Sequence, residues 1–157
     1  MSTSAPQALG RILLVEDSQN DMALTTEALR ESGLANELLW VRDGQEALDY
    51  MYRRGAYSDR PDDNPAVILL DLKMPRVDGL QVLAKLKSDE QLRAVPIVML
   101  TSSAEESDVV RSYGLGVNAY VVKPVAFDQF VSALRDLGLF WAVVNHPPPG
   151  TVRRIGS

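Results

Sequence analysis

Cysteine is absent from this 157-residue chain, and histidine occurs once, at His146. The first absence excludes a disulfide framework, a thiolate metal site and a cysteine nucleophile. The second leaves any His-rich zinc site, or any Ser-His or His-His pair, to be built from one residue. His146 stands beside Pro147-Pro148-Pro149, which deny it an exposed helix face, so it is not expected to act as a phosphodonor. An excess of positive charge is also missing. The formal net charge is −5, which argues against nucleic acid as a partner, because phosphate affinity comes chiefly from Lys and Arg. No window approaches the roughly 18 apolar residues of a membrane span, and stretches such as Ala66–Leu70 are only strand-length. Met1–Gly10 has no basic segment followed by an apolar run, and it reads as a flexible leader. The expected location is therefore the cytoplasm, with no membrane contact. There is no GxxxxGK[ST] phosphate loop. Gly114-x-Gly116-x-x-Ala119 follows a predicted helix and opens a strand, the reverse of a dinucleotide fingerprint, and reads as a turn.

What is present is the composition of one ordinary domain. Hydrophobic residues at 46% and charged residues at 24% argue against wholesale disorder. Arg11–Val15, Glu37–Val41, Ala66–Leu70, Pro96–Leu100 and Ala119–Val122 are short apolar runs that read as buried strands. Between them lie helical segments. The first is Met22–Ser32, with Ser18 as N-cap, Asp21 completing an approximate capping box, and Gly33 ending it. The second runs through Ala47, Leu48 and Met51 after the Asp43-Gly44 turn. The third carries Leu80, Val82, Leu83 and Leu86, and the fourth is Glu105–Tyr113. The last is an amphipathic helix through Phe127, Phe130, Val131, Leu134 and Leu137. Arg54–Pro65 reads as a polar loop, and its acidic stretch Asp59–Asp63 as a solvated one rather than a cation site. Five strands alternating with five helices predict an α/β fold: a flavodoxin-like, doubly wound, five-stranded parallel sheet of order 2-1-3-4-5. The expected division is a leader over 1–10, the domain over 11–138 and a C-terminal extension over 139–157.

Ligands of such sheets bind outside the carboxyl ends of the strands. Strand one ends at Glu16-Asp17, strand three at Asp71, strand four at Thr101 and strand five at Lys123. Taken singly, each has an ordinary explanation: a helix cap for the acids and the threonine, a solvated cation for the lysine. Their coincidence on one rim is what points to chemistry. Like-charged carboxylates at 4 Å repel by about 1 kcal/mol in water and about 4 kcal/mol at an intermediate dielectric, and Lys123 offsets only one charge. A hard divalent cation relieves the rest, and oxygen donors without His or Cys select Mg²⁺. A metal, a lysine and a hydroxyl around one carboxylate suit phosphoryl transfer, with Asp71 as the candidate nucleophile that becomes an aspartyl phosphate.

These residues resemble the receiver domain of two-component response regulators, the CheY-like family. The resemblance rests on Glu16-Asp17, on Asp71-Leu72-Lys73-Met74-Pro75-x-x-Asp78-Gly79, on Thr101-Ser102 and on Tyr120-x-x-Lys123-Pro124, and it spans about Arg11 to Leu137. It implies that Asp71 accepts a phosphoryl group from a histidine kinase. It also implies that Asp17 and Asp71 ligate Mg²⁺ with the backbone carbonyl of Lys73, and that Glu16 assists. Lys123 would then hold a phosphoryl oxygen, Thr101 would be the switch hydroxyl and Tyr120 the switch aromatic, and the Lys123-Pro124 bond would be cis. A narrower set resembles the small regulators paired with bacterial phytochrome histidine kinases: Tyr50-x-Tyr52-Arg53-Arg54-Gly55-x-Tyr57, Glu105-x-x-Asp108, Arg111-Ser112-Tyr113, Lys123-Pro124-Val125 and Phe140-Trp141.

The nearest enzyme alternative is a phosphatase of the haloacid dehalogenase type. It requires a second aspartate two residues after the nucleophile, where this chain has Lys73. That lysine is a poor general acid near neutral pH and fits a phosphate that persists; its length also suits it to shield Asp71 from water. The expected protein is thus a switch, not a turnover enzyme. Phosphorylation adds about −1.5 to −2 charges, draws Thr101 inward and lets Tyr120 rotate, changing the surface of the fourth helix, fifth strand and last helix. The apolar run 139–144 beyond the last helix either extends that helix over its own core or packs as an arm on a second copy; the expected outcome is the arm, making a homodimer through the strand-five and last-helix side. Without an output module, signalling would pass through protein contacts.

Overall fold

Of the three central strands, one is apolar throughout and the other two are apolar at every position but the last, because each is covered on both faces. In the computed structural model, which describes residues 10–31, 36–60, 63–74, 76–101, 114, 117, 119–136 and 138, these are β1 (Ile12–Val15), β3 (Val67–Asp71) and β4 (Ile97–Thr101). All their residues are buried. The edge strands β2 (Leu38–Val41) and β5 (Ala119–Val122) are only partly covered. All neighbours are parallel, and the order is β2-β1-β3-β4-β5, as the sequence predicts.

The helices among the described residues are α1 (Gln19–Glu31), α2 (Gly44–Tyr52), α3 (Gly79–Lys87) and α4 (Phe127–Asp136). The helix predicted over 105–113, the Gly33 stop and the extension over 139–157 lie outside the described residues. Side chains alternate across each strand, so the sheet divides its apolar residues between two cores. Leu13, Val15, Ile68, Leu70, Ile97 and Met99 meet α2 and α3 on one face. Ile12, Leu14, Val67, Leu69, Val98 and Leu100 meet Leu29 of α1 and Phe130 and Leu134 of α4 on the other. Each fully buried Leu, Ile or Phe stabilises the fold by about 1.5–3 kcal/mol. No helix among the described residues is long and apolar enough to cross a membrane.

Two Asp-Gly pairs start helices on the same face. Asp43 caps α2 by accepting the Glu46 N–H at 2.8 Å, and its other oxygen takes the Arg76 guanidinium. Asp78 caps α3 with a complete capping box to Gln81. The glycines are needed for closeness. A Cβ on Gly79 would sit 2.2 Å from the Asp71 carbonyl oxygen, and one on Gly44 would sit 2.1 Å from that of Val77. Gly79 therefore lets α3 press its first turn directly against the end of β3.

The loop after α2 is more built than a solvated loop. It contains a short 3-10 turn, Gly55–Tyr57. Arg60 donates to the Tyr50 carbonyl at 2.6 Å and stacks 4.4 Å from the Tyr50 ring, while the Tyr57 hydroxyl donates to Glu46 at 2.5 Å. Asp63 of the acidic stretch pairs with Arg11 at 3.0 Å, so it is occupied by a guanidinium.

Candidate functional site

The sheet register brings the strand ends together. Val15 is opposite Leu70, Asp71 is opposite Leu100, and Thr101 is opposite Val122. Glu16, Asp71, Thr101 and Lys123 thus follow one another along one rim, each at or just beyond the end of its strand. The Lys123 N–H donates to the Thr101 carbonyl at 2.6 Å, and the Leu72 N–H to the Leu100 carbonyl at 2.9 Å. These bonds carry the ladder past the strand ends and fix where the side chains start.

Glu16, Asp17 and Asp71 converge, each offering a carboxylate oxygen within 4.8 Å of the others. Glu16 and Asp71 are buried and Asp17 is exposed, so the cluster opens to solvent on the Asp17 side. The Lys123 ammonium lies 3.0 Å from Glu16, 2.9 Å from Asp21 and 3.5 Å from Asp71. Glu16 is further held by its neighbours. Its second oxygen accepts the Ser18 N–H at 3.2 Å, and its backbone carbonyl accepts the Trp40 indole N–H at 2.7 Å.

The electrostatics show an excess of negative charge. Burial first, and the charge of Glu16 second, push the Asp71 carboxyl up to about 7 from its ordinary 3.8. Lys123 and the backbone N–H of Lys73 pull the other way and do not prevail. Burial works against the Lys123 ammonium, yet its hydrogen bonds to Asp21 and Glu16 and the charge of Asp71 hold it above the usual lysine range. Three oxygen donors, two of them out of water and balanced by one lysine, form a set that suits a hard divalent cation.

The expected site residues have distinct places. Thr101 is buried at the end of β4, whereas Tyr120 on β5 is 42% exposed. Tyr120 lines a groove of ≈ 420 Å³ between β5 and α4 with Val122, Gln129, Ser132 and Asp136. The Lys73 side chain is exposed while its backbone touches Asp71. Lys123-Pro124 is cis. Ser18 caps α1, accepting the Asp21 N–H at 3.1 Å. The reciprocal half of that capping box is a correction: Glu16 takes the Ser18 N–H, and the Asp21 carboxylate turns to Lys123 instead. Asp21 and Trp40 are the members that sequence reasoning missed. Asp21 could have been flagged as an acid one turn into the helix that starts at the site; for Trp40 no local signal exists.

The response regulator receiver domain model matches residues 12–135. The chain is 40% identical over 130 residues to the response regulator Rcp1 of Synechocystis, covering 83% of this chain and 87% of that protein. The structure of the bacteriophytochrome response regulator AtBRR superposes with a TM-score of 0.81 at 58% identity, over 90% of this chain and 100% of that one. The Mn²⁺-bound form of Rcp1 superposes with a TM-score of 0.69 at 39% identity, over 85% and 94% of the two chains. The likeness extends over the whole sheet and the rim that carries the carboxylates. The chain belongs to the response regulator receiver family, and within it resembles the regulators of phytochromes.

Proposed function

We propose that Asp71 is the phosphoacceptor of this receiver, taking its phosphoryl group from a phosphohistidine of a partner kinase of the phytochrome type. The observation that carries this reading is the convergence of Glu16, Asp17 and Asp71 within 4.8 Å, with the Lys123 ammonium 3.5 Å from Asp71. An Asp71 oxygen attacks phosphorus, the P–N bond breaks, and the imidazole nitrogen keeps the electron pair and takes a proton. Lys123 supplies positive charge to the transferred oxygens, and burial keeps competing water from Asp71. Glu16, Asp17 and Asp71, with the Lys73 carbonyl, are the groups that would hold Mg²⁺, which supplies charge stabilisation to the phosphoryl oxygens when bound.

The phosphoryl group then competes for Thr101, buried one strand away, and Tyr120 is the exposed aromatic whose rotation reports the change. The altered surface spans the region 105–113, β5 and α4. Signalling thus runs through protein contacts, with no catalytic turnover. The exposed Lys73 side chain shields the phosphoryl group, so Lys73→Ala shortens its lifetime. A homodimer forms on the β5 and α4 side, with residues 139–157 as its arm.

The test is incubation with a phosphorylated histidine kinase, or with acetyl phosphate, with and without Mg²⁺. Metal-dependent label that is lost in Asp71→Asn is the expected result. Label that persists in Asp71→Asn, or no label under any condition, overturns the reading.

A further inference from the structure

Lys123 has more acid around it than the phosphoacceptor reading needs. Glu16 and Asp71 belong to the carboxylate cluster, but Asp21 does not. It stands on α1, outside the three oxygens that converge, and it makes the shortest of the three contacts to the ammonium: 2.9 Å, against 3.0 Å to Glu16 and 3.5 Å to Asp71. Asp21 is held in place for this. Its backbone N–H is committed to the Ser18 hydroxyl in the first turn of α1, so its carboxylate projects from a fixed point. It lies at the rim, 38% exposed, whereas Glu16 is fully buried and the Lys123 side chain is 11% exposed. Asp21, Lys123, Leu24, Thr25 and Pro124 line one cavity of ≈ 290 Å³ beside the site.

We propose that Asp21 is a positioning residue that competes with the phosphoryl group for Lys123, and so sets how tightly the resting site takes that group up. This rests on the phosphoacceptor reading above. An ammonium has three donors. Here three carboxylates surround it, and one of the two that hydrogen-bond it is carried by α1, outside the carboxylate cluster. A phosphoryl group on Asp71 must draw the ammonium across, and it must do so against a charge-assisted bond. Asp21 also adds a negative charge next to the position where more negative charge arrives. Both effects have the same sign, so removing the Asp21 charge strengthens phosphoryl binding. The Asp21 contact acts as a restraint, not as support.

The experiment uses the full chain with Mg²⁺ and beryllium trifluoride, a phosphoryl mimic, followed by calorimetry. Asp21→Asn should bind the mimic about three- to tenfold more tightly than wild type. Asp21→Glu, which keeps the carboxylate, should return towards wild type. Glu27→Gln removes the same charge from an exposed position nearly two turns further along α1 and should stay within about twofold of wild type. The ¹⁵N signal of the Lys123 ammonium, assigned by its loss in Lys123→Arg, should shift in Asp21→Asn without any ligand; a purely structural role would leave it in place. Equal or weaker binding by Asp21→Asn overturns the proposal, as does an equal gain in Glu27→Gln. A wild type that takes up no mimic overturns the phosphoacceptor reading, and the proposal with it; a wild type that binds while Asp21→Asn does not differ overturns the proposal alone.

Discussion

The indole N–H of Trp40 donates to the backbone carbonyl of Glu16 at 2.7 Å, tying the edge strand β2 to the acidic end of β1. Trp40 is partly buried, and Arg42 stacks 4.6 Å from its ring. An indole bonded to the residue that also touches Lys123 senses what occupies the site. Adding Mg²⁺ should change the intrinsic tryptophan emission, and Trp40→Phe should abolish that change although Trp141 remains. The same substitution leaves the Glu16 carbonyl short of one donor and should cost about 1 kcal/mol of stability, read from chemical denaturation. An emission change that survives Trp40→Phe would show that the reporter lies elsewhere.

Gly79 touches the end of β3 from behind. A methyl group there meets the Asp71 carbonyl at 2.2 Å and the Leu72 Cα at 2.9 Å, both backbone atoms that cannot swing aside. Gly79→Ala should therefore destabilise the fold by about 1–3 kcal/mol, as overpacking does, and should lower phosphoryl uptake by moving Asp71. The denaturation midpoint should fall with an unchanged slope. Wild-type stability and uptake together would show that α3 does not press on β3 as described.

The raised Asp71 carboxyl has a pH signature without metal. It titrates near 7 in the folded chain and near 3.8 when unfolded. Between those values the folded state binds more protons than the unfolded one, so this group's contribution to stability falls as pH rises from about 4 to about 7. The difference in stability between wild type and Asp71→Asn, measured without divalent cations across that window, should shift against the wild type as pH increases. Saturating Mg²⁺ should flatten the difference, because the cation favours the ionised carboxylate. A difference independent of pH would mean that Asp71 is ionised throughout.

Removing residues 140–157 should give a monomer in light scattering, if the apolar run beyond α4 forms the arm between two copies. The exposed Tyr120 and Val122 on β5 should then lose whatever protection dimerisation gives them in hydrogen exchange. A dimer that persists after truncation would refute the arm.

Much of the site was legible in the sequence because strand ends are legible. An apolar run of four or five residues that stops at an acid, a hydroxyl or an ammonium says both that a buried strand ends there and what stands at its end. Strand boundaries shifted by a residue: β3 ends at Asp71 itself and β4 at Thr101 itself, since backbone pairing continues past the last apolar side chain. The Asp21 partnership was not legible. The residue reads as half of a capping box, and only tertiary packing, which sets the first turn of α1 beside the residue that follows β5, brings its carboxylate to a lysine 102 residues away. The Trp40 bond has the same character, joining residues on neighbouring strands 24 positions apart.

The sequence by itself determined the strand and helix types, the parallel order and the rim residues, because each depends on local periodicity or on the residue that ends a strand. Tertiary structure decided that Lys123 meets Asp21 as well as Glu16 and Asp71, that Asp71 is driven up to about 7, and that Gly79 is wedged against its backbone. Those depend on distance and burial, which arise only when elements far apart in the chain pack against one another and exclude water.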